Sequence, residues 1–251
     1  PASARVPEPL PPLREPGRMA MWGRNMSEWA SDVFGPLALS LELAFVTTLL
    51  LLVIATPIAW WLSRSRAPWK PVVQAVVAFP IVLPPTVLGF YLLMLLGPYQ
   101  APGSWWFTLT GETLTFSFAG LVIASCVYSL PFAVQPLQAA FDLVGEGELE
   151  AARTLGATAR DAFFSVAVPL AAPGFLAAAV LSFAHTLGEF GVVLMVGGNI
   201  PGETRVVSIA IFDHVESLNY RAAHELSALL LVLAFAFLLL MYVANRRRSA
   251  A

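Results

Sequence analysis

The sequence is poor in charged residues and has a single cysteine. Asp, Glu, Lys and Arg make up 12% of its 251 residues, whereas a soluble globular domain has about 25%. The lone Cys126 excludes an intrachain disulfide and a cysteine-based metal site. The 14 basic and 16 acidic residues nearly balance, and no basic cluster is interleaved with aromatic residues. Nothing therefore indicates nucleic-acid binding.

Residue patterns for bond chemistry are equally scarce. No Gly-x-x-x-x-Gly-Lys-Ser/Thr loop is present, so the chain is not predicted to bind ATP itself. The three histidines, His185, His214 and His224, lack the spacing of metal ligands. We therefore expect a protein that is not an enzyme and that binds no metal or cofactor of its own.

Long apolar runs dominate the chain. Hydrophobic residues make up 58% of it, and no charged residue lies between Lys70 and Glu112 or from Leu226 to Asn245. Uncharged stretches of about 20 residues can cross a hydrocarbon core as helices, which satisfy their own backbone hydrogen bonds. The sequence predicts an all-α, polytopic integral membrane protein with about five transmembrane helices. The predicted spans cover residues 37–62, 72–96, 116–137, 173–196 and 224–245, the first starting after Pro36.

The first residues differ in composition from the rest. Residues 1–18 are polar, rich in proline and begin without methionine. Such a segment cannot bury enough apolar surface to fold. Residues 1–26 are predicted to be a disordered extension or remnant, and residues 27–251 to form the transmembrane domain.

The basic residues at the span ends predict the orientation. Arg64, Arg66 and Lys70 follow the first span, and residues 246–248 are three arginines after the last. Lys and Arg favour the cytoplasmic side, and an odd number of spans puts both regions on the same side. The prediction is an N-terminus outside, a C-terminus in the cytoplasm and a cytoplasmic loop over residues 138–172.

This loop contains a small-residue helix. It reads Glu150-Ala151-Ala152-Arg153-Thr154-Leu155-Gly156 and is followed by Pro169. Residues three and four apart align on a helix, so Ala151, Ala152 and Leu155 are predicted to form one slim apolar face, with Glu150 and Arg153 spaced to pair beside it. Gly156 is predicted to end the helix. An ordinary interfacial helix between two spans is the alternative.

The loop resembles the cytoplasmic coupling motif of ABC importer permeases: Glu-Ala-Ala, three residues, Gly, nine residues and Ile-x-Leu-Pro. Val166 and Val168 stand where the motif has Ile and Leu. Residues 79–93, which contain Leu-Pro-Pro-Thr-Val-Leu-Gly-Phe-Tyr, and residues 187–204, which contain Asn-Ile-Pro-Gly-Glu-Thr, resemble the molybdate-type oxyanion branch. The similarity covers residues 37–245 and identifies the chain as similar to type I importer permeases.

The resemblance implies a transmembrane subunit of an ATP-driven molybdate or tungstate importer in a prokaryotic inner membrane. The implied partners are a second copy of the chain, two ABC ATPase subunits that carry ATP and magnesium, an extracytoplasmic oxyanion-binding protein and membrane lipid. It also implies that ATPase coupling rests on Glu150, Ala151, Ala152, Leu155, Gly156 and Pro169.

Proline and polar residues mark candidate pathway or gate positions. Pro80, Pro84 and Pro85 interrupt the second span, and each removes a backbone donor. Such breaks are tolerated against protein or a water-filled cavity, so this span is predicted at the pathway or the subunit interface, with a simple packing kink as the alternative. Thr86 and Asn199, in the two stretches of family resemblance, are further candidates.

Ionisable residues inside the spans have two interpretations. His185 and Glu189 are four residues apart in the fourth span and so share a helix face. Glu189 is a pathway candidate, but we expect it, like Glu42 in the first span, to be solvated near the outer end because a carboxylate repels an oxyanion. No span has a central Lys or Arg for a dianion, which agrees with specificity in a separate binding protein.

Two alternatives remain at this stage. The chain could serve sulfate or another oxyanion, since residue patterns do not separate these substrates. It could also be an ion-coupled secondary transporter. Such a carrier is expected to have repeated halves with discontinuous helices at matching positions, and the proline break of the second span has no predicted counterpart in the fourth.

Overall fold

The computed structural model describes residues 26–249, with side chains described for residues 32–239. The predicted N-terminal extension, residues 1–26, thus lies almost wholly outside the described residues. All regular elements of residues 26–249 are helical, as predicted. They are α1 Met26–Arg64, α2 Lys70–Val82, α3 Pro85–Leu96, α4 Gly103–Thr110, α5 Phe118–Asp142, α6 Glu146–Thr154, α7 Ala159–Ala162, a π-helical turn Phe163–Ala167, α8 Val168–Leu170, α9 Ala172–Leu187, α10 Gly191–Gly197, α11 Val207–Glu216 and α12 Tyr220–Ser249.

Three helices are each long and apolar enough to cross a membrane: α1, α5 and α12. Two bent pairs pass the same test together. The helices α2 and α3 meet at 110°, and the segment 159–170 meets α9 at 69°. Each pair can serve as one broken span, which gives up to five spans. The predicted number agrees with this upper count.

The first span extends beyond its predicted bounds. Its helix α1 begins at Met26, so Pro36 lies inside it and not at its start. Proline removes one helical hydrogen bond, but tertiary packing keeps the helix intact: Val33 belongs to a buried cluster with Val207, Ala210 and Leu226. Helical propensity is readily overridden by such packing.

The fourth span is broken, against the prediction of one helix over residues 173–196. Its first part, α9, ends at Leu187, and its second part, α10, begins at Gly191. The second part packs across α3, where a Cβ on Gly89 would lie 2.8 Å from Met195 Cβ. This close crossing redirects the chain at residues 188–190. The expectation that the break in the second span has no counterpart in the fourth is therefore wrong.

The main core lies where α1, α5 and α9 meet. Leu51, Leu137, Phe141 and Ala178 are fully buried members of one apolar cluster. Phe141 makes an edge-on contact with the Trp60 ring, with ring centroids 5.2 Å apart. Aromatic pairs of this geometry add about 1 kcal/mol beyond their buried area.

The bundle has two chemically distinct ends. At one end, Arg64 Nη2 donates a hydrogen bond to Val144 O at 2.7 Å, which joins the end of α1 to the start of the loop before α6. At the other end, Val207 N donates a hydrogen bond to Ser40 Oγ at 2.7 Å, which joins α11 to the N-terminal half of α1. We call these the α6 end and the α11 end.

The last helix runs from the α11 end toward the α6 end. Leu226 packs with Val207 beside α11, and Phe237 stacks on Phe183 of α9 further along, with centroids 4.5 Å apart. The backbone of α12 continues to Ser249, about 18 Å beyond Phe237 at the usual helical rise. The C-terminal part of α12 and the end of α1 therefore point to the same side, as the orientation argument requires.

Candidate functional site

The segment predicted to couple to an ATPase forms α6, which docks on the bundle through its inner face. It follows Gly145, has Glu146 and Glu148 in its first turn and Arg153 in its last. This placement of charge suits the helix dipole. Leu149 is buried in the main core, and Ala152 packs partly buried against the same cluster. Two apolar contacts thus fix α6 against the bundle.

The outer face of α6 is free. Glu150, Ala151 and Gly156 are exposed, and Leu155 just after the helix is 89% exposed. Leu143, which precedes α6, is 87% exposed. Two leucines so exposed at the end of a bundle form an apolar patch of the kind that marks protein contacts.

Two details of the predicted helix face are wrong. Ala152 does not share a free face with Ala151 and Leu155, because it turns toward the core. Among the described residues, the Glu150–Arg153 ion pair is not formed; instead Glu146 pairs with Arg66 at 3.7 Å. The face presented outward therefore consists of Glu150, Ala151 and the exposed leucines.

Gly156 ends the segment as predicted. Its φ is +91°, a left-handed conformation that side chains with a Cβ rarely adopt. Around it, Gly156 N donates to Arg153 O at 3.0 Å and Ala157 N donates to Ala152 O at 3.0 Å. These bonds satisfy the last carbonyls of α6 and turn the chain sharply toward α7.

Pro169 lies beside the bend that leads into the fourth span. It is an exposed residue of α8 and has no N–H to donate to the preceding turn. The π-helical turn Phe163–Ala167 immediately precedes α8, and such turns are frequent at functional sites. The bend of 69° between segment 159–170 and α9 follows. Pro169 therefore marks where the coupling segment meets the span and does not contribute to the α6 surface.

A capping box begins the return segment after α6. Thr158 Oγ1 donates to Asp161 Oδ2 at 2.5 Å, Thr158 N donates to the same oxygen at 3.1 Å, and Asp161 N donates to Thr158 Oγ1 at 3.2 Å. The Thr158 hydroxyl and backbone hydrogen bonds lower the pKa of the Asp161 carboxyl. The box satisfies the free donors at the start of α7.

We expect Asp161→Ala to loosen the start of α7. A carboxyl whose folded pKa is depressed stabilises the fold above its unfolded value, near 3.9, and loses that contribution as the pH falls through the folded pKa. Protection of the amides of residues 158–162 against hydrogen exchange, relative to the intrinsic rate at each pH, should therefore fall in the variant at neutral pH and in the wild type only in acid below about pH 4. Arg160→Ala, outside the box, is the control; equal acceleration in both variants would contradict this role.

The break of the second span is confirmed, and its prolines have different positions. Pro80 is buried inside α2, whereas Pro84 precedes α3 and Pro85 is its first residue. Proline at a first helical position costs nothing, because that N–H has no helical partner. Thr86 follows and is exposed. The sharp angle between α2 and α3 therefore arises at Leu83 and Pro84, not at Pro80.

The structure brings the two broken spans together. A Cβ on Gly191, the first residue of α10, would lie 2.7 Å from Pro85 Cβ. The break after α9 and the break before α3 therefore touch. Asn199 lies beyond the far end of α10, where its Oδ1 accepts from Arg205 Nε at 2.6 Å. Of the predicted pathway residues, Pro85 and Thr86 lie at this junction, Pro84 and Glu189 are within two residues of it, and Asn199 is not there.

Glu189 is buried, against the expectation of a solvated carboxylate. It is 5% exposed, and neither carboxylate oxygen has a hydrogen-bond partner among the described residues. Its main-chain carbonyl accepts from Ser208 Oγ of α11. The reason is the break: residue 189 turns inward between α9 and α10 and does not continue an outward helix face. Glu42, by contrast, is exposed.

His185 belongs to a separate polar contact. Its Nδ1 lies 2.8 Å from Ser129 Oγ, which is 3.0 Å from Thr186 Oγ1. The His185 ring also stacks on Phe132, with centroids 4.0 Å apart. Because α9 ends before residue 189, the prediction that His185 and Glu189 share a helix face is wrong.

Two further polar residues were missed by the sequence argument. Thr47 in α1 and Ser125 in α5 are both fully buried, and their hydroxyl oxygens have no partner among the described residues. Each is a single polar side chain in an apolar run. That signal is too common in membrane helices to single out either residue before the packing is known.

The structure combines a helical bundle with up to five candidate membrane spans, an exposed helix at one end and two helix breaks in contact. These features agree with a transport permease. The sequence pattern of binding-protein-dependent transport system inner membrane components matches residues 55–249. The chain belongs to this family.

The most informative relatives carry molybdenum or sulfate in their names. The chain is 57% identical over 211 residues to the molybdenum transport system permease protein ModB of Azotobacter vinelandii, covering 84% of this chain and 93% of that protein. It is 37% identical to ModB of Escherichia coli K12, covering 71% and 78%. The sulfate transport system permease protein CysT of the same organism is 34% identical, covering 82% and 73%.

Solved structures share the fold at low sequence identity. A bacterial alginate ABC transporter in complex with its periplasmic protein matches with a TM-score of 0.69 at 17% identity, covering 85% of this chain and 78% of that one. The inward-facing methionine ABC transporter MetNI matches with a TM-score of 0.67 at 19% identity, covering 86% and 95%. The type I importer permease fold is therefore that of this chain.

Proposed function

We propose that this chain is the transmembrane subunit of an ATP-driven importer that moves molybdate, or the closely similar tungstate, into the cytoplasm. The observation that carries the proposal is the exposed α6 face, with Leu155 89% exposed beside the Glu-Ala-Ala residues. The substrate rests on the 57% identity to a molybdenum permease over most of both chains. Lower identity to sulfate permeases makes sulfate the second candidate.

The function needs partners that supply what this chain lacks. An ABC ATPase would bind ATP and magnesium and receive α6, and an extracytoplasmic binding protein would deliver the oxyanion at the α11 end. Five spans are few to enclose a pathway, so we propose a homodimer with two ATPase subunits. Light scattering that finds one permease copy per assembled complex would contradict the dimer.

The orientation follows from the same arrangement. The α6 end carries Arg64 and Arg66, and positive residues favour the cytoplasmic side. We therefore place α6 in the cytoplasm and the N-terminus outside. A membrane-impermeant thiol reagent should label Leu155→Cys in membrane vesicles that expose the cytoplasmic face, but not in intact cells. Labelling in intact cells would reverse the topology.

Contacts within the chain provide a route from α6 to the broken spans. Arg64 ties the start of the α6 loop to α1 through Val144 O and lies 4.9 Å above the Trp60 ring. On the other side, segment 159–170 leads directly into α9, whose broken end contacts Pro85 through Gly191. ATPase closure would move the two α6 helices together, and the junction of the broken spans would open outward.

The alternative in another class is an ion-coupled secondary transporter. Its support is the contact between the break at residues 188–190 and the break before α3, since discontinuous helices also mark such carriers. Membership of the binding-protein-dependent family and the exposed α6 face favour the ATP-driven importer. Transport that runs on an ion gradient without ATP would support the alternative.

ATP hydrolysis by the assembled complex tests the proposal. Proteoliposomes with this chain and its ATPase should hydrolyse ATP several-fold faster when molybdate-loaded binding protein is present at the outer face. Sulfate added to the same binding protein is the control. Stimulation by sulfate alone would keep the importer and replace its substrate, whereas failure of any ABC ATPase to associate would overturn the proposal.

A further inference from the structure

Of the buried polar side chains that have an atom without a hydrogen-bond partner among the described residues, three come from different parts of the bundle. They are Thr47 of α1, Ser125 of α5 and Glu189 in the break between α9 and α10. Thr47 and Ser125 are 0% exposed and Glu189 is 5% exposed. Threonine in a helix usually bonds the carbonyl four residues back, as Thr48 does to Ala44 O. Thr47 does not, which leaves its hydroxyl available within the bundle.

An apolar cluster fixes the level of these residues. Leu43 of α1, Leu121 of α5 and Val193 of α10 pack in one buried cluster. From that cluster, α1 and α5 both run toward the α6 end, where Arg64 meets Val144. The fourth span runs the opposite way, so earlier residues in it lie nearer the α6 end.

The three polar residues lie in the next layer. Thr47 and Ser125 come four residues after the cluster members of α1 and α5, and Glu189 comes four residues before the cluster member of α10. Four residues are about one helical turn, so Thr47 and Ser125 lie one turn nearer the α6 end. Glu189, two residues before α10 begins, lies on the same side of the cluster. We call this set the Glu189 layer.

The composition of the Glu189 layer defines what it can bind. It offers two carboxylate oxygens and two hydroxyl oxygens, all hard ligands. An unpaired carboxylate in a dry site is strongly unfavourable, and either a proton or a bound cation relieves it. Oxygens that share a cation at about 2.4 Å lie further apart than hydrogen-bonded oxygens, and the oxygens of the layer are not hydrogen-bonded to one another.

We propose that Thr47, Ser125 and Glu189 form a binding site for a small monovalent cation, namely sodium. One positive charge neutralises the single carboxylate of the layer, whereas a divalent ion would leave an unbalanced charge in the bundle. Discontinuous membrane helices offer unwound backbone that coordinates sodium in transporters, and Glu189 lies in such a break. The site is independent of the proposed substrate. Among the described residues, no group of three His, Cys, Asp or Glu side chains competes for a metal ion.

Thermal unfolding of the purified permease–ATPase complex tests the site. Sodium chloride is compared with N-methyl-D-glucamine chloride at equal ionic strength. A cation that binds only the folded protein raises the melting temperature with its concentration. We expect sodium to raise it by several degrees in the wild type and to have no effect in Glu189→Gln, whose neutral amide fills the same space.

Two milder variants and a matched control complete the experiment. Thr47→Val and Ser125→Ala each remove one hydroxyl and should weaken the dependence on sodium at least several-fold. Ser182→Ala removes a hydroxyl that is equally buried and unpartnered among the described residues but lies about two turns from residue 189 in α9; it should keep the full dependence. If the melting temperature of the wild type does not depend on sodium and changes only with pH, the proposal is overturned in favour of a protonated Glu189. An equal sodium effect in Glu189→Gln would also overturn it, as a general effect of salt.

Discussion

Leu155→Asp is expected to abolish association with the ATPase while the permease remains folded. The side chain is 89% exposed beside α6, so no internal contact is lost. If Leu155 enters a groove of the ATPase, its burial contributes roughly 2 kcal/mol, and an unpaired carboxylate in its place adds a further penalty of similar size. The two together predict an affinity at least about 100-fold weaker, measured as recovery of ATPase with the tagged permease.

The matched control uses the same substitution at the other end of the molecule. Leu109 of α4 is 84% exposed and belongs to the α11 side of the bundle, after α3 and before α5. Leu109→Asp should bind the ATPase as the wild type does. Equal loss of the ATPase in both variants, or full recovery with Leu155→Asp, would show that α6 is an ordinary interfacial helix.

Gly174→Leu is expected to have the largest effect on the fold. A Cβ at this position would lie 2.2 Å from Ala140 Cβ and 3.0 Å from Pro136 O. The two helices α5 and α9 therefore cross almost backbone to backbone, as small residues allow in membrane bundles. Even one added carbon forces them apart, and overpacking of this kind costs about 1–3 kcal/mol or more. Monodisperse yield and thermal unfolding in detergent should both fall sharply.

A second glycine provides the comparison for this substitution. Gly35 lies in α1, is exposed, and a Cβ there would meet nothing within 4 Å. Gly35→Leu should therefore leave the melting temperature nearly unchanged or raise it, since leucine has the higher helix propensity. A melting temperature of Gly174→Leu equal to that of the wild type would contradict the close crossing of α5 and α9.

Local signals were sufficient for the end of α6 and for the break in the second span. A glycine at residue 156 has an obvious use as a helix end, and the φ of +91° bears it out. The prolines at residues 84 and 85 likewise predicted a break, because proline removes a donor wherever it lies. These features depend only on residues within one or two helical turns along the chain, and such local relations can be read from a sequence.

Features that depend on packing could not be predicted in this way. The break at residues 188–190 contains no proline and follows from the approach of α10 to α3 at Gly89. The burial of Glu189 follows from that break, and the level of Thr47 and Ser125 follows from how α1 and α5 pack against it. Ala152 was assigned to the free face for a similar reason. Residue spacing predicts which residues share a helix face, but it does not predict which face packs against the core.

The most direct measurement of the central claim is uptake of labelled molybdate by proteoliposomes that contain this chain and its ATPase. Loaded binding protein is outside and ATP inside. We predict that accumulation requires ATP and the binding protein. Excess unlabelled molybdate should suppress it, whereas sulfate should not. Leu155→Asp should abolish it. Accumulation that continues without ATP, or with Leu155→Asp, would contradict the proposed function.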